Sequence, residues 1–318
     1  MRKGLSRFVI FLWSTIILVI VVMVAFYFQD EIRKIANLNH GTPTPIKTIS
    51  LTTATTTQRP QTPTVTIIPP TASPSPIPQT ATPTIPQPQI IGYSVTGRPL
   101  EVYQFGNGPI EKMIVAGIHG GYEYNTIILA DELIQYLESH QEIIPPDHTL
   151  YILRAFNPDG FDRSRGFGGR ANENNVDLNR NFPSNWKIEW PRPGCWDYIP
   201  ITGGTSAASE PETQALMAFV EAHDLQAFIS YHSAALGIFP GGQPPDAGSL
   251  SLAETMASVS AYPYPPIEAG CMYTGQLVDW ISDQGIAGVD IELTNHQDSD
   301  FEINLGILSV FLDWIHPD

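Results

Sequence analysis

Basic side chains are scarce in this sequence. Sixteen Lys and Arg stand against 32 Asp and Glu, a formal net charge of −16 at pH 7. A surface that grips nucleic acid neutralises phosphates with clustered cations, so the composition excludes nucleic acid as a partner. Cysteine is nearly absent as well. Cys195 and Cys271 are the only two, too few and too far apart for a Cys-based zinc knuckle. Outside a membrane the pair is free to form a disulfide, and the sequence leaves open whether it does. No Cys follows the N-terminal apolar run, which excludes a lipid-anchored Cys there, and no internal repeat is visible.

The N-terminus has an absence of its own: residues 8–28 carry no charged side chain. A run of about 20 apolar residues spans a bilayer as a helix. Arg2, Lys3 and Arg7 precede it, so residues 1–7 form a cytoplasmic tail under the positive-inside rule. The run is longer than the apolar core of most cleaved signals, and no small-x-small cleavage site follows Ala25. An uncleaved signal anchor is therefore expected. Residues 29–90 are poor in large apolar side chains and dominated, toward their end, by Thr, Pro and Ser. Such a segment cannot bury a core and should be an extended tether, about 3.1 Å per residue. Residues 91–318 are one domain's worth of chain and hold 9 of the 16 basic and 30 of the 32 acidic residues.

Short apolar runs alternate with amphipathic segments along this domain. YSVTGRPLEVYQFGN predicts strands around a Gly turn. KMIVAGI, TLYILRAF, QAFISYHSA and AGVDIEL read as buried strands. NTIILADELIQYLESH, GQLVDWISDQ and FEINLGILSVFLDWIH have helical periodicity. SEPETQALMAFVEAH predicts a helix opened by a capping box, Ser209 with Glu212. The region from 157 to about 204 reads as a long Gly- and Asn-rich loop. The expected fold is α/β: a central mixed, mostly parallel sheet with helices on both faces. Sites in such sheets form at the carboxyl ends of strands.

Two of the eight histidines, His119 and His232, fall at such ends, and Glu123 lies four residues after the first. A catalytic zinc wants three protein ligands, commonly two His and a carboxylate, with a fourth position open. In GVDIEL, Asp290 and Glu292 share the strand face opposite Val289, Ile291 and Leu293. Two carboxylates in an apolar setting call for a cation or a water-filled cleft.

The loop reads NPDGFDRSRGFGGRANENNVDLNRNFP. NPDG followed by R…VDLNRNFP, together with GIHGGYE, SYHS and VDIEL in that order, resembles the zinc carboxypeptidases, the M14 peptidases, over essentially all of residues 91–318. The resemblance implies one Zn²⁺ held by His119, Glu123 and His232. Asp177 would orient His119, Arg170 would stabilise the oxyanion, and Glu292 would be the general base. Asn179 and Arg180 would grip the free C-terminal carboxylate of a peptide substrate. Two features depart from the family pattern. Its first two ligands are usually spaced H-x-x-E, but here Tyr122 falls where the Glu would be and Glu123 comes one residue later. The substrate-capping tyrosine has no direct counterpart: its register falls on Cys271, and Tyr273 is the nearest candidate. Val278 would lie at the base of the side-chain pocket, favouring apolar or aromatic C-terminal residues.

The chemistry implied is metallocarboxypeptidase hydrolysis. A cell-wall peptidase acting on γ-D-glutamyl-diaminopimelate bonds is the alternative on the same fold. An inactive surface-anchored binding module is disfavoured because every functional position is filled, and an aspartoacylase-like deacylase because the Asn179-Arg180 pair is intact. The charge asymmetry around residues 8–28 predicts a single-pass protein with its catalytic domain outside. A periplasm-type reporter fused after Asp318 should be active, and one that works only in the cytoplasm would contradict this topology.

Overall fold

The structure, a computed structural model, describes residues 87–192, 194–196, 200–267 and 270–317. The span expected at 8–28, and the tether up to residue 86, lie outside these residues. No helix among the described residues is long and apolar enough to cross a membrane.

Seven strands form one mixed sheet in the order β1-β2-β4-β3-β5-β7-β6. β1 (Gln89–Tyr93) and β2 (Pro99–Gly106) make the expected hairpin, so ordered strand begins two residues before the boundary expected at 91. β3 (Ile110–Val115), β4 (His148–Leu153), β5 (Leu225–Ser233) and β7 (Ala287–Leu293) run parallel at the centre. β2 on one side and β6 (Gly237–Pro240) on the other are antiparallel to them. The chain passes from β3 to β4 on one flank and then crosses to β5 on the other. The point between β3 and β5 is thus where the winding reverses, the place at which open α/β sheets form their sites.

Helices cover both faces. α1 (Tyr124–Ser139), α4 (Ala247–Ala257) and α6 (Phe301–Asp313) pack on the face carrying Ile114, Ile152, Ile229, Val289 and Ile291. α3 (Pro211–Glu221) and α5 (Leu277–Asp283) pack on the face carrying Met113, Val115, Leu153 and Phe228. α2 (Pro158–Arg163) is a short helix inside the region expected to be loop, with Pro158 in its first turn and Asn157 as its cap. The cap opening α3 differs from the expected box. The helix starts at Pro211, whose missing N–H costs nothing at that position, and its N-cap is Glu210. Ser209 donates to Glu210 Oε1 instead, and Glu212 Oε1 accepts from Val95 N–H at 3.2 Å, tying the helix to the first hairpin.

One buried cation ties the sheet to the last helix. Lys112 on β3 is fully buried, and its Nζ donates to the carbonyls of Phe311, Leu312 and Trp314 at 2.5–2.7 Å. These are C-terminal carbonyls of α6, which have no partner within the helix, and the ammonium also meets the negative end of the helix dipole. Burial pushes the lysine pKa down to about 8. Replacing Lys112 with Met would keep the stem and leave three buried acceptors without donors. The expected cost is on the order of 3 kcal/mol, read as a lowered Tm with zinc content unchanged.

Candidate metal centre

His119 lies just past the end of β3, and the turn after it is built from glycines. Gly120 has φ +48°, and a Cβ on Gly121 would lie 1.9 Å from the Ser164 carbonyl oxygen. Only a turn without side chains fits beneath the 157–170 loop. The turn closes with Tyr122 N–H donating to His119 O at 3.1 Å. It delivers Glu123 to the N-cap of α1, but the side chain makes no capping bond. The extra residue is accommodated because Tyr122 packs its ring against Trp196 and His296, each 4.6 Å away between centroids.

Glu123 instead faces two imidazoles. Its Oε1 is 2.8 Å from His119 Nδ1, and its Oε2 is 3.3 Å from His232 Nδ1. The two Nδ1 atoms are themselves 3.3 Å apart. All three side chains are buried, and their ligand atoms lie within 4.8 Å of one another. Glu123 Oε2 has no hydrogen-bond donor although it is shut off from solvent. Two imidazole nitrogens and a carboxylate oxygen converging on one point form the donor set of a catalytic zinc, and the unsatisfied oxygen fits a cation there.

Other residues brought to this point hold it in place. Asp177 Oδ1 lies 3.2 Å from His119 Nε2, which leaves Nδ1 turned toward the trio. Arg170 donates to Asp177 Oδ2 from Nε at 2.9 Å, and its Nη2 is equally close to that oxygen. Its Nη1 lies 3.5 Å from Glu123 Oε1. The NPDG motif fixes Arg170 from behind, since Asn157 caps α2 by accepting from Gly160 N–H and donates to Arg170 O. Burial alone would raise the Asp177 pKa, but the charges of Arg170, His119 and Arg180 hold it well below the usual range. Burial opposes the ionised form of Glu123 too, and the two histidines against it again outweigh burial.

Glu292 completes the upper wall. On β7 it pairs with His232 of β5 on one side and Gly237 of β6 on the other. Its Oε2 accepts from Ala235 N–H at 2.9 Å. Burial, with smaller contributions from the Glu123 and Asp290 charges, pushes its pKa up to about 7, against an opposing contribution from His232. Asn179 and Arg180 line the same cavity of about 820 Å³ as the trio, Arg170 and Glu292. Asn179 Oδ1 accepts from Leu277 N–H at 2.9 Å. Arg180 donates to Asn179 O at 2.7 Å, its buried Nε has no acceptor, and its guanidinium lies over the Trp190 and Tyr273 rings at 5.3 and 5.8 Å. Tyr273 and Val278 also line the cavity. The sequence-based candidates therefore all gather around one cleft.

Several neighbours of the cleft escaped the sequence reading. His296 reaches the cavity from beyond β7 and is hydrogen-bonded to Ser233 Oγ at 3.0 Å. Trp196 stacks its ring under the Arg170 guanidinium at 4.6 Å. Cys195 and Cys271, whose pairing the sequence leaves open, are joined as a disulfide with Cα atoms 4.8 Å apart, and both line the cavity. It fastens the Trp196 loop to the loop carrying Tyr273. Asp290 lies in the cavity wall as well. Only its alternation with Glu292 hinted at that position.

Comparison with known proteins agrees with this geometry. Gamma-D-glutamyl-L-diamino acid endopeptidase 1 of Lysinibacillus sphaericus is 28% identical over 242 residues, covering 64% of this chain and 59% of that protein. Murein peptide amidase A of Escherichia coli (strain K12) is 30% identical over 154 residues, covering 46% of this chain and 59% of that protein. The chain thus matches somewhat more than half the length of each. Among solved structures, murein-tripeptide amidase MpaA from Escherichia coli O157 superposes with a TM-score of 0.51 at 25% identity, over 73% of this chain and 94% of that one. Bovine thrombin-activatable fibrinolysis inhibitor, solved with tick carboxypeptidase inhibitor, gives a TM-score of 0.57 over 72% of this chain and 89% of that one, and at 22% identity shows the shared fold. The sequence pattern of the zinc carboxypeptidases, peptidase M14, matches residues 78–302, and the chain belongs to that family of zinc-dependent peptidases.

Proposed function

We propose that this chain is a metallocarboxypeptidase that releases the C-terminal residue of a peptide bearing a free carboxylate. The observation that carries this reading is the placement of Arg180, a buried guanidinium with an uncommitted Nε, in the same cleft as the His119, Glu123 and His232 trio. A planar guanidinium matches a carboxylate bidentately. Asn179 is anchored through its Oδ1, which leaves its amide donors for the same carboxylate.

His119, Glu123 and His232 would hold the metal. Zinc bound by them supplies Lewis-acid chemistry, polarising the scissile carbonyl and making water acidic enough to lose a proton near neutral pH. Glu292 takes the proton of the attacking water and passes it to the departing amine. Arg170, pinned by Asp177, keeps its Nη1 at the edge of the trio, where it can stabilise negative charge growing on the carbonyl oxygen. Tyr273 stands by Arg180 as the side chain that closes over the substrate.

A second reading has specific support. The Lysinibacillus and Escherichia relatives are named for γ-D-glutamyl-diamino acid and murein peptides. A domain held outside the membrane on the long tether would meet such peptides. The C-terminal grip by Arg180 serves either substrate.

The two carboxylates should fail in different ways. Glu123→Ala leaves two histidines, too few for tight binding, so the protein should purify with little zinc. Glu292→Gln should keep near-stoichiometric zinc and lose roughly 10²–10⁴ in kcat. Full zinc in Glu123→Ala would move the ligand role elsewhere. Arg180→Ala should cut kcat/KM strongly for peptides with a free C-terminus and little for amidated ones. Equal losses on both would favour an endopeptidase.

A further inference from the structure

Two arginines line the cleft, and they are held differently. Arg170 donates to Asp177 Oδ2 from Nε at 2.9 Å, and its Nη2 is equally close to that oxygen. That pair fixes its guanidinium within the loop itself. Arg180 donates at 2.7 Å to the carbonyl of its own neighbour, Asn179, and its buried Nε has no acceptor. A guanidinium offers five donors in a rigid fork, and one bond to an adjacent carbonyl leaves the plane of that fork free to swing. The orientation of Arg180 therefore depends on what packs around it.

Two segments distant in sequence supply that packing. Trp190 places its ring 5.3 Å from the Arg180 guanidinium, and Tyr273 places its ring at 5.8 Å. Cys271 Sγ lies 3.9 Å from Arg180 Nη2. Trp190 and Cys195 belong to one locally bonded segment. Arg192 lies over the Trp190 ring at 4.1 Å, accepts from Cys195 N–H at 2.8 Å and donates to Trp196 O at 3.2 Å. The Tyr273 segment is fixed by backbone bonds at Gly275, whose N–H donates to Ser184 O at 2.9 Å and whose O accepts from Phe182 N–H at 3.0 Å. Ahead of that point it is held by Gln243 Nε2, which donates to Tyr273 O at 3.2 Å, and by the Cys195–Cys271 bond. Both cysteines are half-buried and line the cleft. The covalent link thus joins the segment that carries Trp190 to the segment that carries Tyr273, with Arg180 against both rings and one of the sulfurs.

We propose that Cys195 and Cys271 are positioning residues of the site: their disulfide clasps the two segments around Arg180 and sets its guanidinium for the substrate carboxylate. This rests on the carboxypeptidase reading above, in which Arg180 grips that carboxylate. Opening the clasp lets the Trp190 and Tyr273 segments part, and the guanidinium loses the walls that orient it. Substrate binding then weakens. Arg170 keeps its two contacts to Asp177, and His119, Glu123, His232 and Glu292 are held by strands and by the glycine turn, so the cutting machinery stays in place.

The test uses the full zinc-loaded chain and a peptide with a free C-terminus. The double variant Cys195→Ser/Cys271→Ser should raise KM about 10-fold, the scale of one charge-assisted hydrogen bond, with kcat and zinc content little changed. The same two substitutions in an Arg180→Ala background should add almost nothing, because both changes act on one contact. Reduction of the wild-type protein is a second route that needs no variant to fold. A phosphine and one water convert the S–S bond to two thiols, and the phosphine becomes its oxide. With the phosphine removed, KM should be raised as in the variant, and reoxidation by air should restore it. A disulfide that only constrains the unfolded chain would lower Tm on removal and leave KM where it was, which would overturn the proposal. Loss of zinc on opening the disulfide would overturn it too, since the link would then hold the metal centre rather than Arg180. So would a full KM effect that persists in the Arg180→Ala background. If Arg180→Ala alone left KM for this peptide unchanged, the carboxypeptidase reading would fall, and the clasp with it.

Discussion

A carboxylate without solvent governs the centre of this molecule. Glu123 is buried between two imidazoles and a guanidinium, and Asp177 is buried behind them. Neither position is tenable alone, because an ionised group in a dry interior must be paired or bound to a cation. The surrounding architecture meets that requirement. The glycine turn lets the chain reach Glu123 within four residues of His119. Asn157 steers Arg170 toward Asp177. The 3₁₀ turn of Leu178–Arg180 is capped by Asp177 itself, whose Oδ1 accepts from Asn179 N–H at 3.0 Å. One carboxylate thus orients a histidine, anchors an arginine and shapes the segment that presents Arg180.

The sheet explains why these pieces meet. His119 follows β3, His232 ends β5, and Glu292 lies near the end of β7, three adjacent parallel strands. Parallel strands bring their carboxyl ends to the same edge, so residues more than 100 positions apart arrive together without any local sequence signal linking them. α5 covers the lower part of that face, with Val278 packed close to Gly288. The cleft opens above it, which sets the depth available to a substrate side chain.

Much of the α/β organisation was readable in the chain, because six strands and four helices declare themselves through apolar runs or helical periodicity. β6 did not, being four residues without alternation between glycine and proline. α4 and the short α2 were hidden for a related reason, since each starts within a Gly- and Pro-rich stretch that signals a turn. The candidate ligands were legible because histidines at strand ends are uncommon and the VDLNRNFP and SYHS segments resemble one family. The supporting contacts were not. Whether Ser209 or Glu210 caps α3 depends on Val95, over 100 residues away, which draws Glu212 out of the cap. Asp290 looked like one of two alternating acids, and its approach to His232 Nε2, at 3.5 Å, exists only in three dimensions. The Cys195–Cys271 link closes a separation of 76 residues, and two cysteines in a sequence cannot show whether the fold brings them together.

The central claim is that His119, Glu123 and His232 converge on a single zinc, the histidines through their Nδ1 atoms. Anomalous X-ray scattering at the zinc edge from crystals of the metal-loaded protein tests it directly. The account predicts one strong peak per chain, about 2.0–2.2 Å from both Nδ1 atoms and from a Glu123 oxygen, with Tyr122 outside the coordination sphere. A peak held by other side chains, or none at this site in a protein that hydrolyses peptides, would contradict it.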